Sequence, residues 1–237
     1  MTIKGITTTL TNSEIEEACS LAEQAYDESI SGATRFDSIL GTTAFYMYKN
    51  DVQYIIFRGT QEGKDWLMNM SAIPWKVNGR WVHGGFAAAQ GSVWKKIRAR
   101  LDPRKKTYCI GHSLGGACAT ITALKLQSFE NIRLITFGRP NVFLKGKKRL
   151  KDIVNISVVA GSDIVATVPR FCYSADSNQD IIYFGKDGND YLNPSKDFRD
   201  GDRRLGDSIS DHMMDKSYTP RVDDCKVEDL ICDKFTL

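Results

Sequence analysis

The pentapeptide Gly111-His112-Ser113-Leu114-Gly115 restricts this chain more than any other feature, because of what stands on either side of it. Thr107 to Gly111 (TYCIG) reads as a short buried strand, and ACATITALKLQ beyond the motif reads as a helix. A strand that turns into a helix over G-x-S-x-G is the setting of a nucleophile elbow, in which the serine is held in a strained backbone conformation. Larger side chains two residues either side of the serine would collide in so tight a turn, so Gly111 and Gly115 are demanded there. Gly116, Ala117 and Ala119 then let the helix lie close on a sheet. The plain alternative is a Gly-rich turn without chemistry, and the rest of the constellation argues against it.

The surrounding pattern predicts the sheet. Thr11 to Ser29 opens with cap-like residues, with Glu14 or Glu16 able to close a capping box, and Ile15, Ala18, Cys19, Ala22, Ala25 and Tyr26 recur at helical spacing. Thr42 to Tyr48 and Val52 to Phe57 read as strands around a Lys49-Asn50-Asp51 turn, and Phe86 to Leu101 as a helix ended by Asp102-Pro103. Ile132 to Phe137 and Ile153 to Val159 read as further strands. Strands alternating with helices predict an α/β fold with a mostly parallel central sheet covered on both faces. Ser174 to Ser210 is polar and reads as loops with one short strand at Ile181 to Phe184; the tail from Asp223 reads as a last helix. Neither a repeat nor a linker divides the chain, which predicts one domain over residues 1–237.

A serine hydroxyl needs a base beside it. There are three histidines, His83, His112 and His212. In an α/β-hydrolase the order along the chain is Ser, acid, His, and His212 is the histidine that follows Ser113. His112 neighbours the serine, but adjacent side chains at a strand end are expected to point to opposite faces. The acid orients the imidazole. Asp163 is the first choice, since it comes just past the strand ending at Val159, and sites assemble at the carboxyl edge of such a sheet. Asp152 precedes that strand and belongs at the opposite edge; Asp176 and Asp180 are reserves, and Asp211 reads as a solvated neighbour. The oxyanion requires donors: the Leu114 amide follows the nucleophile, and Phe57-Arg58-Gly59-Thr60 is the loop placed to supply a second from Thr60.

At these residues the chain resembles the class 3 (fungal-type) triacylglycerol lipases of the α/β-hydrolase superfamily. The matching segments are FRGT (57–60), DWLMN (65–69), VHGGF (82–86), GHSLGGACA (111–119), TFGRPNV (136–142), GSDIVATVP (161–169) and DHMMDKSY (211–218). The resemblance implies an α/β-hydrolase fold without cofactor or metal, the triad Ser113, Asp163 and His212, oxyanion donors at Thr60 and Leu114, and supporting roles for Arg58, His83 and Arg139. It implies hydrolysis of acylglycerol esters. Two departures stand out. Gln61-Glu62-Gly63-Lys64, where relatives often carry an amphipathic lid, is polar, which leaves room for a phospholipase or a soluble-ester (aryl or feruloyl) esterase; and Ile164 follows Asp163 where the family usually has proline. A catalytically idle hydrolase fold serving as a binding module would lack a triad member, and none is missing.

Composition narrows the partners. Thirty-two Lys and Arg against 29 Asp and Glu give a net charge of +3, too little to argue for nucleic acid. The basic runs Lys95–Lys106 and Lys145–Lys151 read as solvated faces, with transient contact with a lipid interface as the minority reading. No run is long and apolar enough to span a bilayer. The first residues lack the pattern of a signal peptide, so the sequence as it stands predicts a cytoplasmic protein, or a secreted one if a signal precedes it. None of the six cysteines falls in C-x-x-C, which argues against zinc; Cys225 and Cys232 are spaced so that an oxidising setting would allow a pair.

Overall fold

The computed structural model describes residues 11–60, 73–145, 150, 153–161, 163–169, 172–175, 178–203 and 212–232. The polar segment 61–64, DWLMN, Asp152, Asp176, Asp211 and most of the second basic run lie outside the described residues. Helix α1 (Asn12–Gln24) starts on the capping box that the sequence predicts, Thr11 with Glu14, and passes into a 3-10 turn at Ala25–Asp27. Its buried face is Ile15, Ala18, Cys19, Leu21 and Ala22.

Strands β1 (Thr34–Asp37), β2 (Thr43–Lys49) and β3 (Val52–Phe57) follow. Asn50 and Asp51, both at positive φ, close the two-residue turn between β2 and β3, the geometry that fits the right-handed strand twist. A hairpin of β4 (Pro74–Val77) and β5 (Arg80–His83) precedes helix α2 (Gly84–Arg98). Then come β6 (Lys106–His112), helix α3 (Leu114–Lys125), β7 (Ile132–Phe137), β8 (Phe143–Leu144), β9 (Val154–Ala160), β10 (Tyr173–Ser174), β11 (Asp180–Phe184), β12 (Asp190–Leu192), helix α4 (Lys196–Arg203), helix α5 (Thr219–Asp224) and β13 (Ile231–Cys232).

The main sheet runs β1-β2-β3-β6-β7-β9-β11-β12-β13, with β3, β6, β7, β9 and β11 parallel. A smaller sheet runs β10-β8-β5-β4. Successive residues of the central strands serve opposite cores. Tyr54, Ile56, Ile110, Ile135, Phe137 and Val158 pack with α1 and Val222 of α5. Ile55, Phe57, Cys109 and Leu134 pack with Phe86 and Val93 of α2 and Ala119 and Ile121 of α3. A sheet buried on both faces explains why its strands read as unbroken apolar runs.

Two expectations need correction. Ser174 to Ser210 holds more than one strand among loops: β12 pairs with β11, and α4 is a helix with no buried residue, which apolar periodicity does not register. Among the described residues beyond Asp223 the tail carries a 3-10 turn (Val227–Asp229) and β13 rather than a helix; the helix there, α5, begins upstream at Thr219. Cys225 is a free thiol, as are Cys19, Cys109, Cys118 and Cys172. Among the described residues no helix is long and apolar enough to cross a membrane.

Candidate active site

Ser113 stands between β6 and α3 with φ 57° and ψ −128°, a conformation that costs a non-glycine residue on the order of 1–3 kcal/mol. The fold holds it there from three sides. Its N–H donates to the Phe137 carbonyl (3.0 Å) at the end of β7, and its own carbonyl accepts the amides of Gly116 (3.0 Å) and Ala117 (3.3 Å) as α3 starts. A methyl group on Gly111 would lie 2.3 Å from Gly115 C, and one on Gly115 would lie 2.2 Å from the Phe57 carbonyl oxygen. Close approach of backbone, rather than positive φ, is what requires both glycines. Leu114 is the first residue of α3, where amides have no partner within the helix and the helix dipole favours negative charge.

The neighbouring strand supplies the second loop. Phe57 pairs with Gly111 across β3 and β6, so Arg58-Gly59-Thr60 emerges beside the elbow. A methyl on Gly59 would come within 3.2 Å of Ser113 Cβ. Thr60 Oγ1 is buried without a hydrogen-bond partner among the described residues.

Asp163 lies just past β9 and is fully buried. Oδ1 accepts the amides of Val165 (2.8 Å) and Ala166 (3.4 Å). Oδ2 accepts His212 Nδ1–H (2.8 Å) and the Tyr218 hydroxyl (2.5 Å). A carboxylate that accepts from Nδ1 leaves Nε2 of a neutral ring bare, and His212 Nε2 is buried with no partner among the described residues. Ser113 Oγ is therefore not hydrogen-bonded to it here. The two side chains nevertheless border consecutive residues of one strand end: Ser113 hangs on Phe137, and a methyl on Gly138 would be 3.0 Å from His212 Cε1 and 2.5 Å from Asp163 Oδ2. Ser113 is 4% exposed and His212 9%. A π-helical turn, Met214–Tyr218, follows His212 and Met213, leads into α5 and turns Tyr218 back onto Asp163. Burial, then the Asp163 charge, pushes the Tyr218 phenol well above its ordinary range, so it stays a donor.

The reserve acid Asp180 begins β11, away from the carboxyl edge, and bonds Asn193. His112 departs from expectation. Its ring does not point away from the site but lies against His212, with centroids 4.5 Å apart. Strict alternation holds along an extended strand, and the positive φ at Ser113 breaks it. Burial, then the neighbouring His212, holds His112 well below the usual imidazole range. His112 thus borders the site rather than facing away from it, and Tyr26 and Tyr218 join it as neighbours whose role no motif in the sequence marks. The three supporting residues are engaged: Arg58 pairs with Glu28 (3.4 Å), His83 stacks on Phe86 (centroids 4.2 Å), and Arg139 donates to Thr120 Oγ1 (2.7 Å) and to Gln179. Among the described residues no three His, Cys, Asp or Glu side chains are grouped to hold a metal.

Comparison with known proteins agrees with this architecture. The family model of the class 3 lipases matches residues 54–172, half of the chain. The Rhizomucor miehei protein named lipase is 36% identical over 104 residues, 38% of this chain and 29% of that protein. A Gibberella zeae protein named secreted mono- and diacylglycerol lipase 2 is 34% identical over 86 residues, 31% of this chain and 20% of that one. The matched stretch thus spans less than a third of either relative's length. The crystal structure of the lipase from Rhizopus microsporus var. chinensis superposes with a TM-score of 0.70 at 20% identity, covering 90% of this chain and 92% of that one, which establishes the α/β-hydrolase fold.

Proposed function

Because this chain belongs to the class 3 lipases, we propose that it hydrolyses carboxylic esters, those of acylglycerols first, through Ser113, His212 and Asp163. One domain over residues 1–237 carries the activity. The observation that carries this reading is the asymmetry of the His212 ring: Nδ1 is committed to Asp163, while Nε2 is buried without a partner among the described residues. A buried acceptor without a donor costs on the order of 1–3 kcal/mol, and a substrate-ready serine is what such a vacancy serves.

The reaction runs in two halves. His212 Nε2 takes the proton from Ser113 Oγ as Oγ bonds to the ester carbonyl carbon, and the carbonyl electrons move onto oxygen. That oxyanion meets the Leu114 amide at the start of α3 and the amide and hydroxyl of Thr60. Collapse breaks the carbon–oxygen bond to the alcohol, which leaves with the proton from His212. Water then gives a proton to the same nitrogen, attacks the acyl-enzyme, and releases the acid with Ser113 restored. Asp163, which accepts four hydrogen bonds, orients the ring and steadies the imidazolium. Neither metal nor cofactor enters these steps, and a chelator should leave the rate unchanged.

Exposed Met213 beside His212, with Ile73, Trp75 and Trp81 also exposed, supports transient contact with a lipid interface. The free thiols fit a cytoplasmic protein, whereas the Gibberella zeae relative bears secretion in its name; localising a tagged chain separates the two. The direct test of function is a fluorophosphonate probe together with short- and long-chain glycerol esters. Wild type should label and hydrolyse both, and Ser113→Ala should do neither. Unlabelled wild type, or equal labelling of the variant, would sink the reading.

A further inference from the structure

A second, partly buried chain of hydrogen bonds adjoins the site without touching the acid. The Tyr26 hydroxyl and His112 Nδ1 are 2.7 Å apart, and His112 Nε2 lies 2.7 Å from the His212 carbonyl oxygen. A carbonyl only accepts, so Nε2 carries the proton; in a neutral ring Nδ1 is then bare and accepts the Tyr26 O–H. The Tyr26 oxygen also packs against the Gly59 backbone. Contact there is so close that a methyl on Gly59 would sit 2.1 Å from that oxygen. The same methyl would lie 3.0 Å from the His112 carbonyl oxygen and 3.2 Å from Ser113 Cβ.

Two hydrogen bonds and the packing at Gly59 bring together three segments far apart in sequence: the loop bearing Thr60, the elbow bearing Ser113, and the backbone of His212. Tyr26 reaches them from the turn that ends α1. We propose that Tyr26 and His112 are positioning residues, which hold the oxyanion loop and the His212 backbone in register across Ser113. The proposal rests on the hydrolase reading above. It explains why a histidine, rather than any residue the elbow tolerates, occupies the x position before the serine: two opposed nitrogens, one donating and one accepting, span Tyr26 and His212. Neutrality matters as well. His212 is to become an imidazolium 4.5 Å from the His112 ring, and a charged His112 would oppose it. Burial and His212 itself keep His112 uncharged. Misplacement of reacting groups by about 1 Å costs on the order of a hundredfold in rate while leaving ground-state binding largely intact.

The test is steady-state hydrolysis of p-nitrophenyl butyrate by wild type, Tyr26→Phe, His112→Leu, His112→Gln and Ser113→Ala, with thermal melts for each. Tyr26→Phe should lower kcat about tenfold and His112→Leu about a hundredfold, both with KM within about twofold of wild type. His112→Gln, which keeps an Nε2 donor for the His212 carbonyl, should recover about tenfold over His112→Leu. A merely structural role would lower the melting temperature without this split or this rescue. The proposal is overturned if folded Tyr26→Phe keeps wild-type kcat, if the loss falls on KM, or if His112→Gln is no better than His112→Leu. Should His112→Leu not fold, the near-isosteric Tyr26→Phe decides alone. Wild type no more active than Ser113→Ala would instead refute the hydrolase reading itself.

Discussion

Strands β6 and β7 end very differently at their two edges. At the amino edge Glu14 of α1 is gripped from all sides: Lys106 Nζ (2.8 Å) and the Tyr108 hydroxyl on β6, Arg133 (3.1 Å) on β7, and the Thr11 amide (3.0 Å). Burial alone would raise this carboxyl, but Lys106, Tyr108, Thr11 and Arg133 together hold it at about 2, against an ordinary 4.5. At the carboxyl edge Ser113 follows β6 at positive φ, and Thr60 Oγ1, past β3, and His212 Nε2 are buried without partners among the described residues. At one edge the Glu14 carboxylate is held by four donors and stabilises the fold; at the other, on the proposed function, Thr60 and His212 await a substrate.

That contrast is open to attack from either end. Ser113→Gly should abolish ester hydrolysis, a loss of roughly a millionfold in kcat, yet raise the melting temperature by a few degrees, because glycine accepts φ 57° freely. A lower melting point would show that the elbow is not strained. Asp163→Asn should cost about ten-thousandfold in kcat, since an amide in place of Oδ2 disturbs the tautomer that leaves His212 Nε2 bare. Thr60→Val removes the orphaned hydroxyl but keeps the amide; kcat should fall about a hundredfold with little change in stability, measured by melting and steady-state kinetics.

The smallest effect on activity belongs to the amino edge. Glu14→Gln should leave kcat within about twofold and destabilise the fold by ~1–2 kcal/mol near pH 7. A carboxyl whose folded pKa is depressed contributes its stability above the unfolded value, and loses it as pH falls through the folded one. The wild-type advantage should therefore be complete above pH 4.5 and vanish toward about pH 2 in urea-melt series. An advantage independent of pH would deny the ion cluster its role.

How legible each edge is follows from how local its causes are. The elbow is written in five consecutive residues, because a tight turn and its glycines are short-range constraints. Asp163 is recoverable from its place just beyond a buried strand. The amino cap is equally local, Thr11 with Glu14 three residues on. Tyr26, His112 and Tyr218 are different. Tyr26 meets His112 across 86 residues and Tyr218 meets Asp163 across 55, so nothing near them in sequence announces the contact. Their one signal is that Tyr218 closes the DHMMDKSY segment and His112 sits inside the elbow. The polar stretch after Ser174 hid α4 and β12 for a related reason. The helix KDFRDGDR buries nothing, and three-residue β12 exists through its pairing with β11 and β13.

The central claim is that His212 Nε2 is the acceptor for the Ser113 proton. A crystal structure of the chain after reaction with a phosphonate ester tests it most directly. The expected structure has phosphorus bonded to Ser113 Oγ, a phosphonyl oxygen about 3 Å from the Thr60 and Leu114 amides, and His212 Nε2 within about 3 Å of Oγ or the leaving-group oxygen. Phosphorus on another residue, or a His212 ring turned from the adduct with its Nδ1 no longer on Asp163, would contradict it.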